Sequence, residues 1–340
     1  MALLEIDNLH LAMRSFDGEA QVLNGITLSV DKGEVWGLVG ETGCGKSVTG
    51  LSVARLLASP PARYFGGAIR FDGQDLMQAD EATMRRLRGR RIGMIFQDPT
   101  TNLNPVFRIG EQMIDVALHA GATDPAILGL APGASSRARR RAARSLAIRM
   151  LDRVGIPKAS ERVDDYPHQF SGGMRQRVLI AMALIGKPDL LIADEPTTAL
   201  DVSVQAQILQ LLYDLVGEER LAVLLITHNL GVVAQICSRV AVMYAGNIVE
   251  TGDVRAVFKR PAHPYTTALL AAVPTVHSVR GALQDLPGAV PDLIHPPGGC
   301  RFAPRCRLAT PACTQALPAP VRLGPQHSVC LLYTSDAADE

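Results

Sequence analysis

The sequence predicts an α/β fold whose parallel strands deliver loops to a phosphate-binding centre, followed by a cysteine-containing C-terminal extension. Three observations predict it. The apolar run Val35-Trp36-Gly37-Leu38-Val39 leads straight into Gly40-Glu41-Thr42-Gly43-Cys44-Gly45-Lys46-Ser47 and then into a stretch of helical character. A second apolar run, Leu190-Leu191-Ile192-Ala193, ends on the adjacent carboxylates Asp194 and Glu195. Beyond residue 260 proline density rises, and Cys300, Cys306, Cys313 and Cys330 gather there. Unbroken apolar runs bounded by turn residues are what strands buried on both faces require.

Each element follows in order. From about residue 3 to 75, short apolar runs alternate with turns such as Asp31-Lys32-Gly33 and Asp72-Gly73, a β-rich layer around the phosphate strand. The loop itself is GxxxxGKS with a strand before and a helix after. Its glycines let successive N–H groups turn inward around phosphate oxygens, Lys46 adds a point charge for the β- and γ-phosphates, and the Ser47 hydroxyl is placed for Mg2+. The loop predicts binding of a nucleoside triphosphate.

Residues 98–180 are richer in helical spacing. Within them, Arg137 to Arg144 is the densest positive run; a solvated helix face and a contact with anionic lipid headgroups both fit it. Gly121 to Ser136, with Pro125, Pro132 and several glycines, reads as a flexible insertion. Ser171-Gly172-Gly173-Met174 opens a further helix, whose free N–H groups make a second anion site. One chain needs one cradle per γ-phosphate, so a second cradle suggests ATP held between two such domains. From 178 to 250 strand–helix alternation returns, including Val223–Ile226 shortly before His228.

Composition narrows the class. At 340 residues the chain can hold one large α/β domain and an appendage. With 34 basic against 33 acidic residues, nothing favours nucleic acid as a partner. No apolar run reaches the roughly 18 residues a membrane helix needs, and the start, with early acids and no basic region, does not read as a signal peptide.

The order of these motifs resembles the ATP-binding cassette (ABC) family over nearly the whole chain. Phe170-Ser171-Gly172-Gly173-Met174 stands where that family usually has Leu-Ser-Gly-Gly-Gln, a variant that keeps the Ser and both Gly. The resemblance implies a P-loop NTPase (RecA-like) core: a nucleotide-binding domain over 1–255, with a helical subdomain at about 98–180 that faces a membrane partner. It implies ATP and Mg2+ as ligands, with Ser47, Gln97 and Asp194 around the metal. It makes Glu195 the group that polarises the attacking water, Gln97 the Q-loop sensor and His228 the switch that hydrogen-bonds the γ-phosphate. Ser171, Gly172, Gly173 and Met174 would act on the partner's ATP, and Ala199-Leu200-Asp201 would be the D-loop at a dimer interface. Phe16, 24 residues before Gly40, stands where the family stacks an aromatic ring on adenine.

The tail narrows the resemblance further. His263-Pro264-Tyr265-Thr266, Leu286-Pro287-Gly288 and Pro296-Pro297-Gly298-Gly299-Cys300-Arg301-Phe302-Ala303-Pro304-Arg305-Cys306 resemble the C-terminal extension of oligopeptide/dipeptide permease ATP-binding subunits, here 256–330, in the D-type member of the pair. That implies a heterodimer with a second ABC ATPase, two membrane-spanning permease subunits and an extracytoplasmic solute-binding protein. It puts the chain peripherally at the cytoplasmic face of the inner membrane, with nickel or glutathione as alternative solutes. A soluble ABC ATPase is the competing class. DNA-repair members carry a long coiled coil between Q-loop and signature, whereas Gln97 and Ser171 are 74 residues apart; translation members carry two cassettes. A P-loop phosphotransferase leaves the Ser-Gly-Gly site and His228 without work.

Cys44 reads as a variable phosphate-loop position and Cys237 as a small core residue. The other four follow C-x5-C-x6-C-x16-C. A cytosolic cysteine cluster favours metal over disulfides, and four thiolates suit zinc or iron–sulfur, with unliganded thiols as the third possibility. The family resemblance points to a 4Fe-4S cluster. The last residues, 329–340, read as a sequencing-adaptor artefact: Cys330 to Ser335 can be encoded by a string resembling a transposase adaptor end. Cys330 would then mimic a ligand one place early, and residues 331–340 are expected to lack packing partners.

Overall fold

The computed structural model describes residues 2–198, 200–273, 286–324 and 326–331. Its strands are β1 (Leu4–Arg14), β2 (Glu19–Val30), β3 (Val35–Val39), β4 (Ala62–Phe71), β5 (Gln74–Asp75) and β6 (Ile92–Ile95). They continue with β7 (Leu190–Asp194), β8 (Ala222–Ile226), β9 (Arg239–Tyr244), β10 (Asn247–Asp253), β11 (Pro320–Gly324) and β12 (His327–Cys330). Two compact units divide the chain: Met1–Val30, Val35–Met77 and Ile226–Glu340 form the first, Asp31–Glu34 and Gln78–Leu225 the second.

The first unit holds the antiparallel layer β2-β1-β4-β5. Leu4 sits opposite Val30 on one side and Phe71 on the other, and Leu4, Ile6, Leu9 and Leu11 are all buried. A second set of strands in this unit runs β11-β12-β10-β9-β3. β3 pairs with β9 in parallel, Trp36 beside Arg239 and Val39 beside Val242. β10 then turns back on β9, and β12 pairs antiparallel with β10, Val329 opposite Glu250. Strand addition therefore binds the C-terminal extension to β10, past the boundary at residue 255 read from the sequence.

An aromatic cluster supports that junction. Tyr244, Tyr265 and Phe302 are buried, with ring centroids 4.7 Å (Tyr244–Tyr265) and 5.1 Å (Tyr244–Phe302) apart. Rings of this size dominate the apolar area a small core can bury, and tilted contacts suit their quadrupoles. Beside it Glu250 is 1% exposed, yet fully engaged: its carboxylate accepts from Ala262 N (2.9 Å), His263 N (3.0 Å) and the His327 Nε2 (2.8 Å). A buried carboxylate is tolerated only with such a set of partners.

In the second unit β6 and β7 pair in parallel, in the order β8-β7-β6, with β8 belonging here up to Leu225. Leu190–Asp194 and Ala222–Ile226 are buried at every position, which explains their apolar runs, broken only by Asp194 at the end of the first. Helices Ile109–Thr123, Ser136–Arg153 and Gly172–Leu184 are the long helices between β6 and β7. The segment read as a flexible insertion has an anchored part: Pro125–Leu128 form a 3-10 turn and Ile127 and Leu128 are buried. Leu128 packs so closely on Gly121 that a Cβ there would lie 2.6 Å from its side chain. The prolines and glycines suggested mobility, but two aliphatic residues among them supply a core. No helix among the described residues is long and apolar enough to cross a membrane.

Candidate functional site

The phosphate loop leaves the end of β3 and enters helix Lys46–Val53. Gly40 has φ +153° and Gly45 φ +107°, and Gly45 is the left-handed N-cap of that helix. A Cβ on Gly40 would strike the Met243 carbonyl oxygen, and one on Gly45 would lie 2.7 Å from Met243 Cε and 3.0 Å from Val22 O. Conformation and close approach thus both demand glycine at these two positions. Lys46 is buried, its Nζ donating to Gly40 O (2.8 Å) and Glu41 O (2.9 Å), so the ammonium lies along the inside of the loop. These are the features of an anion cradle: a helix N-terminus, turned backbone and one cation.

Cys44 is buried in the same loop, where desolvation raises its thiol, with Lys46 acting in the opposite direction. Also in the first unit, His228 follows β8 as an exposed residue, between Thr227, whose N–H donates to Leu38 O (3.2 Å), and Asn229, which caps helix Leu230–Ile236. Phe16 is fully exposed in the turn between β1 and β2.

In the second unit, parallel register explains how Gln97 and Glu195 come together. Ile95 pairs with Ala193, so the residues two places beyond each emerge side by side from the same strand ends. Gln97 Nε2 donates to Glu195 Oε2 at 3.1 Å, and Thr198 Oγ1 donates to the same oxygen at 2.7 Å. Sequence motifs marked Gln97 and Glu195 separately; their contact and the part played by Thr198 were missed, because register is not written in either strand alone. Glu195 has φ +44°, a conformation a non-glycine residue adopts at a cost of about 1–3 kcal/mol. Asp194 is buried at the last position of β7.

Ser171 is the N-cap of helix Gly172–Leu184, its hydroxyl accepting from Met174 N at 3.3 Å. Asp201 caps helix Val202–Glu219, and hydrogen bonds from Ser203 Oγ and Val204 N hold its carboxyl below the usual range. The two helix starts are adjacent: a Cβ on Gly172 would lie 3.6 Å from Leu200, and one on Gly173 would collide with Val204. Of the three-residue D-loop run, Ala199 lies outside the described residues.

The four C-terminal cysteines, with His263, Phe302 and Leu331, line one small cavity of the first unit. Burial raises the thiols of Cys300 and Cys306 and pushes Cys330 up to about 11, whereas hydrogen bonds from Thr310 lower Cys313. The residues share a cavity without forming a ligand shell. Cys313 Sγ lies 3.4 Å from both Thr310 N and Thr310 Oγ1, and Cys330 Sγ donates to Ile248 O at 3.3 Å. Among the described residues, no three His, Cys, Asp or Glu side chains are gathered closely enough to hold a metal ion. The expectation of a 4Fe-4S cluster therefore does not fit the thiols as they stand. Cys330 itself is half-buried in β12, and Leu331 lines the cavity instead of lacking partners, because strand pairing carries the chain that far; residues 332–340 lie outside the described part.

Comparison with known proteins agrees with this architecture. The ABC transporter family model matches residues 23–198, and the model for the oligopeptide/dipeptide transporter C-terminal region matches 249–313. The oligopeptide transport ATP-binding protein OppD of Bacillus subtilis is 47% identical over 308 residues, 90% of this chain and 82% of its own length. The dipeptide transport ATP-binding protein DppD of the same organism is 44% identical over 326 residues, covering 96% and 93%. Among solved structures, a dimeric ATP-binding cassette in a post-hydrolysis state bound to ADP and Pi superimposes with TM-score 0.61 at 25% identity, over 74% of this chain and 99% of that one. The cbiO1 cassette of Clostridium perfringens, part of the ABC transporter complex cbiONQ, gives 0.59 at 26% identity, over 76% and 91%. With the phosphate loop, the carboxylate strand and the C-terminal region all accounted for, the chain belongs to the ABC transporter family of ATPases.

Proposed function

We propose that this chain is the ATP-hydrolysing subunit of an importer for di- or oligopeptides. The observation that carries the solute class is the C-terminal region, residues 249–313, which matches the oligopeptide/dipeptide transporter model independently of the cassette. Relatives named for oligopeptide and dipeptide transport support the same reading. Its partners would be two membrane-spanning permease subunits, an extracytoplasmic binding protein and a second ATPase subunit, with this chain peripheral at the cytoplasmic face.

The residues suggest a division of labour. Lys46 and the turned N–H groups of Gly40–Ser47, including those of Glu41, Thr42, Gly43 and Cys44, would hold the triphosphate, and Phe16 would stack on adenine. Ser47, Asp194 and Gln97 would hold Mg2+, which screens phosphate charge when bound. Glu195, oriented by Gln97 and Thr198, would take the proton of the attacking water, and His228 would donate to the γ-phosphate. Ser171, Gly172, Gly173 and Met174 would serve the partner's ATP, with Asp201 at that interface.

A four-thiolate iron–sulfur or zinc centre in the extension would need Cys313 and Cys330 to turn from their present partners. The shared cavity supports it, and the engagement of Cys313 and Cys330 elsewhere counts against it. Metal analysis of the purified chain decides. The solute class is tested in proteoliposomes holding the whole importer, by measuring ATP hydrolysis with the binding protein and added dipeptides, oligopeptides, nickel or glutathione. Stimulation by peptides is expected; stimulation by nickel or glutathione alone would reassign the solute.

A further inference from the structure

Two side chains from the C-terminal part of the first unit reach the phosphate loop, and both meet it at Glu41. Tyr265 Oη accepts a hydrogen bond from Glu41 N at 2.9 Å. Arg305 grips the Glu41 carboxylate with both ends of its fork, Nη1 to Oε2 at 2.8 Å and Nη2 to Oε1 at 3.1 Å. The guanidinium is itself tied: Nε donates to Pro287 O (2.9 Å), Nη2 to Leu286 O (3.1 Å) and Nη1 to Tyr244 Oη (3.3 Å). Its side chain is 6% exposed and that of Glu41 26%. A bidentate pair this sheltered fixes geometry as well as charge.

The same short segment supports the loop at a second point. Arg301 Nη1 donates to Ala245 O at 2.6 Å, and the N–H of the next residue, Gly246, donates to Cys44 O at 2.8 Å. Residues 300–306 therefore brace the loop at its second residue directly and near its middle through the β9–β10 turn. Glu41 is the pivot: its backbone carbonyl and that of Gly40 accept from Lys46, while Arg305 holds its side chain.

We propose that Arg305 is a positioning residue for nucleotide binding, acting through Glu41 to hold the loop peptides that seat Lys46. It couples the C-terminal extension to ATP affinity. The inference rests on reading Gly40–Ser47 as the nucleotide site. The sequence places Arg305 in the run that carries the resemblance of the extension, but nothing there points it at the phosphate loop.

The test is equilibrium binding of a fluorescent ATP analogue to the full chain, with thermal melting to follow the fold. Arg305→Ala is expected to weaken binding about tenfold, within the usual range of coupling between sites. Glu41→Gln should weaken it similarly. The double variant should bind no worse than either single one, because both remove one interaction. Arg305→Lys should restore part of the loss, and in the assembled importer the KM for ATP should rise while kcat holds. Wild-type affinity in a normally melting Arg305→Ala protein, or additive losses in the double variant, would overturn the proposal. Should Arg305→Ala fail to fold, Glu41→Gln carries the test, and wild-type affinity there overturns it. Lys46→Ala separates the two readings. Undiminished binding in it would remove the nucleotide site itself, whereas its loss beside an unaffected Arg305→Ala refutes the positioning role alone.

Discussion

The phosphate loop and the cysteine segment of the extension are both short runs of special residues, and they differ in what the residue types dictate. In the loop, conformation follows from identity: Gly40 and Gly45 occupy positive-φ positions hard against Met243 and Val22, where a side chain cannot fit. The residue pattern is therefore nearly a description of the backbone. In the extension, Cys300, Cys306, Cys313 and Cys330 converge on one cavity, yet the Cys313 sulfur turns to Thr310 and that of Cys330 to Ile248 O. Spacing brings thiols into a neighbourhood; it does not aim them. What ties the extension down is a buried carboxylate, an aromatic cluster and one arginine, whose contacts are not written in the runs they belong to.

The contrast can be broken at the extension first. Glu250→Ala removes the acceptor for Ala262 N, His263 N and His327 at once. Breaking a buried polar set in this way costs about 3–5 kcal/mol, so urea denaturation should show a large loss of stability. A change confined to a few tenths would mean that the apolar contacts alone hold the segment.

A smaller effect comes from His263, which burial holds at about 4 against an ordinary 6.5. Its Nδ1 accepts from Tyr265 N at 3.0 Å, so the native state favours the neutral ring. Because the folded value is depressed, the contribution is intact above about pH 6.5 and is lost as pH falls toward 4. The loss amounts to about 3 kcal/mol at most. Denaturation midpoints at pH 7.5 and 5, compared with those of His263→Gln, should show a steeper decline in the wild type; parallel declines would contradict this.

The smallest effect sharpens the other side of the comparison. Phe16 is fully exposed, so Phe16→Ala should leave thermal stability unchanged. ATP affinity should fall by about 1 kcal/mol, the low end for stacking of a base on an aromatic ring. Unchanged affinity would leave Phe16 as an ordinary turn residue.

How far the sequence could be read follows the same division. The strands Val35–Val39 and Leu190–Asp194 were legible because burial on both faces leaves apolar runs, the second ending on Asp194. The capping roles of Ser171 and Asp201 go with helix starts that Ser and Asp commonly mark. The contact of Gln97 with Glu195 was not legible, since it depends on register between strands distant in sequence. In Gly121–Ser136 the prolines and glycines hid one anchored turn, since Ile127 and Leu128 are buried while most of the run is exposed. Tyr265 and Arg305 stand in runs that carry the family resemblance, yet their roles were not legible there because each depends on Glu41, 224 and 264 residues away, as Glu250 depends on His327, 77 residues away.

The most direct test of the account addresses Glu195, the carboxylate held by Gln97 and Thr198. In the reconstituted importer, with the partner subunit's own site silenced, ATP binding and steady-state hydrolysis are measured for wild type and Glu195→Gln. The substitution keeps the shape of the side chain and removes its basicity. Binding should persist while hydrolysis falls on the order of 10²-fold or more, the scale of a positioned general base. Hydrolysis at the wild-type rate in that variant would contradict the assignment of Glu195 as the group that activates water.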